Sequence, residues 1–344
     1  LQKWLKEGLS LEAHTIDHPC PILQGADFDR AKSTYDRCVD LMFSVANNTP
    51  VAFRVPCCDS LNTPSPRFYA EIFNKRTSTG NFLTIDTSVF NRFTPNDPDL
   101  PESVVFDDQG KDRFIKYLPA DRTFVNVVED YPYPYVVGEL CWQFPCTVPS
   151  DWQGQHLHGA NNPVTVEDMK KALDATVVKQ GVFDMVFHPH GWIKSEQVIA
   201  FIDYAVRKYG KRVKFLTFQE AQRRIDRYLL AGQPLRTEEG TDNGVRLIDL
   251  NDDGYIDVVI GNQQLRQSRV WVPENTSWKI GNFPVSLTAS NSSSEGEDIR
   301  VRFGVVAPGT SASMVVRTPS ASGTWHFDGT NWLKDKKADK LSLI

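Results

Sequence analysis

The chain has 344 residues, of which 40 % are hydrophobic and 11 % aromatic, enough for two domains with buried cores. Its net charge is −5 and its 38 Lys and Arg form no basic stripe, which argues against nucleic acid as a partner. No window approaches the ~20 apolar residues that span a bilayer, so no transmembrane segment is expected.

The opening stretch "LQKWLKEGLS" carries neither an initiator Met nor a charged-then-apolar signal segment, and we read it as the middle of a longer protein, with further domains or chains expected on either side. Residues 28–46 space Phe28, Ala31, Tyr35, Cys38, Met42 and Val45 by three and four, which predicts a one-sided helix. "VAFRVP" reads as a strand, "SPRFYAEIFNKR" as a helix and "NFLTIDTSVF" as β-rich. Residues 92–155, rich in Pro, Asp and Tyr, read as an insertion with strands at "RTFVNVV" and "PYVVGELCW". Thr165 is the expected cap of a helix over residues 166–180, with Asp168 completing a capping-box variant. "VFDMVFHPHGW" reads as a buried strand running into a loop, Ser195 as the cap of a helix stopped by Gly210, "RVKFLTF" as a strand and "QEAQRRIDRYLLAG" as a helix. From residue 233 onward the helical signal gives way to short β segments separated by Gly, Asn and Ser, which predicts an all-β module over 233–344 after an α/β domain over 1–232.

Six cysteines, at 20, 38, 57, 58, 141 and 146, are even in number and lack the CxxC spacing of a structural zinc site. Disulfides fit an oxidising compartment, with Cys141 and Cys146 as a candidate staple around "WQFP"; six buried thiols in a reducing compartment are the alternative. The vicinal Cys57 and Cys58 read as ordinary thiols or as halves of two separate disulfides.

In "LEAHTIDHPCP", His14 and His18 stand four residues apart, a spacing that on a helical turn would aim both imidazoles at one ion. "HTIDHP" resembles the second motif of the NodB-like polysaccharide deacetylases, carbohydrate esterase family 4. "RVPCCD", with Arg54, Pro56 and Asp59, resembles the third motif, and "MVFHPHGW", with His188, resembles the last, all in the family's order over roughly residues 1–225. The resemblance implies a distorted (β/α) barrel and a divalent metal, usually zinc, with His14 and His18 as ligands. It further implies His188 as the general acid, Arg54 as the partner of the catalytic carboxylate, and Trp192 and His190 lining the substrate groove. For the fourth motif's acid, "TIDTSVF" supplies Asp86 and "PSDW" supplies Asp151 beside Trp152; Asp86 lies where the motif order expects it and is assigned the catalytic role. The family's first motif, which carries the third ligand and the general base, has no counterpart in the thirteen residues before His14. Either it lies upstream, or Asp17 or Asp59 replaces it, or the site is inactive; the way the chain opens favours the first. His156 and His158 have no carboxylate at a set distance and read as structural.

"DLNDDGYID" sets Asp249, Asn251, Asp253 and Asp257 at positions 1, 3, 5 and 9, with Gly254 at 6 and the Tyr255 carbonyl at 7, an oxygen cage for a calcium ion. Position 12 is Ile260 where an EF-hand needs Glu, and the flanks are β-like, so the loop resembles the calcium loop of FG-GAP repeats. The expectation is a secreted or cell-surface (periplasmic also fits) metal-dependent deacetylase that removes N- or O-acetyl groups from a polysaccharide, with zinc and calcium as cofactors. The alternative is a degenerate, non-catalytic carbohydrate-binding or surface-assembly protein on the same fold, and a third reading is a hydrolase of other amides.

Overall fold

The structure is a computed structural model that describes residues 1–58, 65–118, 126–288, 300–305, 310–318 and 321–335. It divides into two units, Leu1–Glu220 and Ala221–Ile344.

In the first unit a short α1, Gln2–Lys6, precedes α2, Phe28–Ser44. Asp27 caps α2 by accepting the Arg30 N–H at 2.9 Å, and its buried stripe is Ala31, Thr34, Tyr35, Cys38 and Val39, the expected one-sided pattern. Parallel strands β1 (Ala52–Phe53) and β2 (Ile85–Asp86) flank α3, Pro66–Phe68, which widens into a π turn over Tyr69–Phe73. β3 is Phe90–Arg92, α4 is Glu102–Val105, and β4 (Val127–Glu129), β5 (Tyr135–Val137), β6 (Cys141–Gln143) and β7 (Cys146–Thr147) follow. Two sheets result, of order β1-β2-β6-β5 and β4-β3-β7, parallel except for β5. Single parallel bridges extend each: Ala13 to Phe53, and Asp184 to Cys146. Among the described residues the two sheets are not joined into one closed ring.

The helices that follow are α5 (Asp151–His158), α6 (Pro163–Lys179), α7 (Ser195–Tyr209) and α8 (Phe218–Arg224). Two expected caps are displaced. Asn162 caps α6 by accepting the Val164 N–H, because Asn-Pro starts the helix three residues before Thr165, with Pro163 at the first position, where its missing N–H costs nothing. Lys194, not Ser195, precedes α7, and the Gln197 side chain accepts its N–H at 3.0 Å. Two expected strands are also missing from the described ladders. Residues 182–192 form only the Asp184 bridge, because the groups that would continue the ladder turn to Asp151: its N–H donates to the Val186 carbonyl and its carboxylate accepts the His188 N–H. Residues 213–217 run without a strand partner, with Phe215 and Leu216 exposed.

The second unit carries two antiparallel four-stranded meanders. The first is β8 (Val245–Ile248), β9 (Asp257–Gly261), β10 (Arg266–Val272) and β11 (Ser277–Asn282); the second is β12 (Arg300–Gly304), β13 (Ser313–Thr318), β14 (Ala321–Phe327) and β15 (Trp332–Lys334). The "FPVSLTA" stretch expected as a strand is not one over its described residues; the strand is instead the preceding "SWKIGN". β14 buries Gly323, Trp325 and Phe327 on alternate positions, and Val259, Val270, Met314, Val316 and Trp332 complete a core shared by the two meanders.

Candidate functional site

The Ala13 bridge sets the position of the histidine pair. Ala13 N–H donates to the Ala52 carbonyl at 3.0 Å and its own carbonyl accepts the Arg54 N–H at 3.1 Å, which lays residue 14 beside residue 54. His14 Nδ1 lies 2.7 Å from the Arg54 carbonyl, and since a carbonyl only accepts, Nδ1 carries the proton and Nε2 keeps its lone pair. Burial pushes His14 down to about 4; the charges of His18, Arg54 and His188 act the same way, against the bond to the Arg54 carbonyl. The ring is therefore neutral near pH 7, as a metal ligand must be.

His18 reaches His14 by a route other than the expected helical turn. Residues 14–18 are irregular, with Thr15 at φ 69° and His18 at φ 48°, and the Thr15 hydroxyl accepts the His18 N–H at 3.2 Å. The two rings meet edge to face, centroids 5.0 Å apart. A disulfide between Cys20 and Cys57 ties this loop to the Arg54 segment. Asp17 is paired with Arg37 on α2 at 2.5 Å, and Asp59 lies outside the described residues.

Arg54 donates through Nη2 to Asp184 at 2.7 Å and to the Thr87 hydroxyl at 2.9 Å, and through Nε to the Thr87 carbonyl at 3.0 Å. The Thr87 hydroxyl also donates to Asp184. Arg54 and Asp184 are both mostly buried, so each charge depends on the other. Asp184 was not singled out from the sequence; its signal is a carboxylate inside the apolar run "VFDMVF", which demands a charged partner.

His188 is held by Asp151. Asp151 Oδ1 lies 2.8 Å from His188 Nδ1 and Oδ2 accepts the His188 N–H at 2.7 Å; the carboxylate is fully buried and the imidazole about a third exposed. Asp151 is placed by Ser150, whose hydroxyl accepts the Gln153 N–H while the Gln153 side chain accepts the Ser150 N–H, a capping box. Gly154 lets α5 pack closely: a Cβ there would collide with Thr165. His190 and Trp192 gather beside the dyad, with Trp192 ring centroids 5.0 Å from His188 and 4.9 Å from His190. Asp86, assigned to the fourth motif on the sequence, makes its side-chain hydrogen bonds to Tyr69 and Ser88. It is fully buried on β2, accepts from Ser88 Oγ at 2.6 Å and Tyr69 Oη at 2.9 Å, and burial raises it to about 6; the acid that meets His188 is Asp151. His156 and His158 sit on α5, against Trp152 and Tyr117 respectively. Cys141 and Cys146, the candidate staple, are buried thiols outside any disulfide.

In the second unit the loop after β8 winds around Asp249, which accepts from Asp252 N at 2.8 Å, Asp253 N at 3.3 Å and Gly254 N at 2.9 Å, with Gly254 at φ 83°. Asn251 Nδ2 donates to Asp253 at 2.8 Å, and Asn251 Oδ1 is a buried acceptor with no partner, a feature a hard cation would satisfy. Asp257 is turned inward, accepting from Leu250 N at 3.0 Å and Trp271 N at 2.8 Å; burial raises it to about 6. Tyr255 is exposed at the loop tip.

Among the described residues no three His, Cys, Asp or Glu side chains gather as a complete metal cage. What lies together is the His14–His18 ring pair in the first unit and the side chains of Asp249, Asn251 and Asp253 in the second. No helix among them is long and apolar enough to cross a membrane. No protein-family model matches the chain, nor does any curated protein or solved structure.

Proposed function

We propose that the first unit is a metal-dependent deacetylase acting on N- or O-acetyl groups of a polysaccharide, on a distorted (β/α) barrel of the NodB type. The observation that carries this reading is proximity: the His14 ring lies 5.0 Å from that of His18 and its Nδ1 2.7 Å from the Arg54 carbonyl, and the charge of His188 also weighs on His14. His14, through Nε2, and His18 would hold the ion, zinc by ligand type. Such an ion supplies polarisation of the acyl carbonyl and acidification of water. Asp184, ion-paired to Arg54 at 2.7 Å, is the carboxylate assigned to take the proton of the attacking water. His188, oriented by Asp151, gives its proton to the departing amine or sugar hydroxyl as the acyl bond breaks and acetate leaves. His190 and Trp192 offer a ring surface for a sugar face. Asp86, fully buried and hydrogen-bonded to Tyr69 and Ser88, is assigned a supporting role.

The second unit is proposed as an FG-GAP-like calcium module, with Asp249, Asn251 and Asp253 as side-chain ligands. Weak calcium sites are loaded outside cells and disulfides persist there, so both features support export. The test is acetate release from a panel of N- and O-acetylated polysaccharides by the zinc-loaded chain, with release expected and abolished by chelation. A second reading, a non-catalytic carbohydrate-binding protein, is favoured by the incomplete ligand set among the described residues. Polysaccharide binding without acetate release from any member of the panel would select it.

A further inference from the structure

One face of the first meander is turned away from the core of the second unit. On β10, Ser268 and Val270 are buried toward that core, while Arg269 and Trp271 project from the other face, and across the ladder Trp278 stands opposite Trp271. The two indoles meet edge to face, centroids 5.0 Å apart. The Arg269 guanidinium lies 4.8 Å over the Trp278 ring, and its Nη2 lies 3.4 Å from the Tyr228 carbonyl. Tyr228 is 60 % exposed and ends the stretch "RRIDRY", in which Arg223, Arg224 and Arg227 are exposed as well. Spacings of three and four residues make these arginines neighbours on the helical turns that run through Arg224 and Ile225 to Leu229.

What this surface lacks is negative charge. Among the described residues no carboxylate pairs with Arg223, Arg224, Arg227 or Arg269, whereas Arg54, Arg92, Arg113 and Arg246 each have one. Asp226, the one acid inside the stretch, is half-buried with Oδ1 lacking any hydrogen bond, and makes no ion pair with them. Arg269 Nε is also buried without an acceptor. Like charges side by side on a helix oppose each other, and a guanidinium drawn out of water costs most when unpaired. A bound anion relieves both.

We propose that this arginine patch is a binding surface for an acidic polysaccharide, with the carboxylates of its uronic-acid sugars on the guanidiniums and sugar faces against the Tyr228 and Trp278 rings. An arginine fork matches a carboxylate through two parallel hydrogen bonds. Aromatic side chains that are already held, as Trp278 is by Trp271 and Arg269, offer contact area at little entropic cost. A denser polyanion such as a nucleic acid fits less well, because the chain carries a net charge of −5 and its repulsion grows with the charge of the ligand. The surface lies wholly in the second unit, so the inference goes beyond the deacetylase reading and does not depend on it.

The test is isothermal titration calorimetry of the full chain with oligosaccharides of hyaluronan and of glucuronoxylan, beside the same oligosaccharides with their carboxyls reduced to alcohols. The expected result is tighter binding of the acidic form of at least one. The double variant Arg224→Gln, Arg227→Gln alters only exposed side chains and should weaken that binding about tenfold or more, as should Arg269→Met. Arg207→Gln, at an exposed arginine of the first unit, should leave it unchanged. Binding of neither acidic form, equal affinity for acidic and reduced forms, unchanged affinity in the double variant, or tighter binding of a single-stranded oligodeoxynucleotide of the same charge would each overturn the proposal.

Discussion

The two candidate metal-binding regions are built on opposite plans. The loop of the second unit is local: Asp249 to Asp257 span nine consecutive residues, and the hydrogen bonds around Asp249 run no further than Gly254. The pocket of the first unit is composite. His14, Arg54, Thr87, Asp151, Asp184 and His188 come from five stretches of chain, positioned by two single-residue bridges, a disulfide and a capping box. A local loop can be altered without consequence beyond its neighbours. A composite pocket depends on buried partners, so single substitutions there should cost more and spread further.

The largest expected effect is at His188. A positioned general acid contributes typically ~10²–10⁴-fold, so His188→Ala should lower kcat on that scale with metal content unchanged. His190→Ala, which removes only a ring at the pocket wall, should cost far less. Asp151→Asn should lose part of the same rate and also shift the pH profile, because it changes the partner that orients the imidazole. Equal losses at His188 and His190 would undo the assignment.

Next in size is the buried ion pair. Arg54→Met leaves Asp184 charged and unpaired, and breaking such a pair costs about 3–5 kcal/mol of stability in the first unit. Adding Asp184→Asn should recover much of that loss. Urea unfolding of the single and double variants decides it; additive losses would mean the two side chains do not depend on each other.

A third effect is one of pH in the first unit. Asp86 is raised to about 6 by burial, so the folded unit holds a proton that the unfolded chain releases near the ordinary Asp value. Its stabilising contribution is complete below about pH 4 and is lost as pH rises through about 6, up to about 3 kcal/mol. Asp86→Asn should flatten that part of the stability curve. A curve that keeps its slope in the variant would place the proton elsewhere.

The smallest effect is calcium on the second unit. At ~100 times its Kd, calcium should stabilise that unit by about 2.7 kcal/mol. Removing calcium while zinc is kept saturating should lower one melting transition and spare the other, and Asp249→Ala should remove the difference.

The same contrast explains what was legible in the sequence. α2 was readable because its apolar spacing is written in consecutive residues, and the β meanders because alternation along "TWHF" is equally local. The histidine pair was legible as a motif but not as geometry, since a turn with positive φ at Thr15 and His18, not a helix, brings the rings together. Asp151 stood second to Asp86 and Asp184 was not singled out, because their partners lie 37 and 130 residues away in sequence. The strand expected at residues 182–192 failed for the same reason: its hydrogen bonds are taken by Asp151, a competition that periodicity does not record.

Everything proposed for the first unit depends on His14 and His18 holding one ion between them. The direct measurement is metal content of the purified full chain, equilibrated with zinc and dialysed, beside the double variant His14→Ala, His18→Ala with folding verified by circular dichroism. The account predicts stoichiometric zinc in the former and its loss in the latter, with calcium content the same in both. Zinc retained in full by the folded double variant would contradict it.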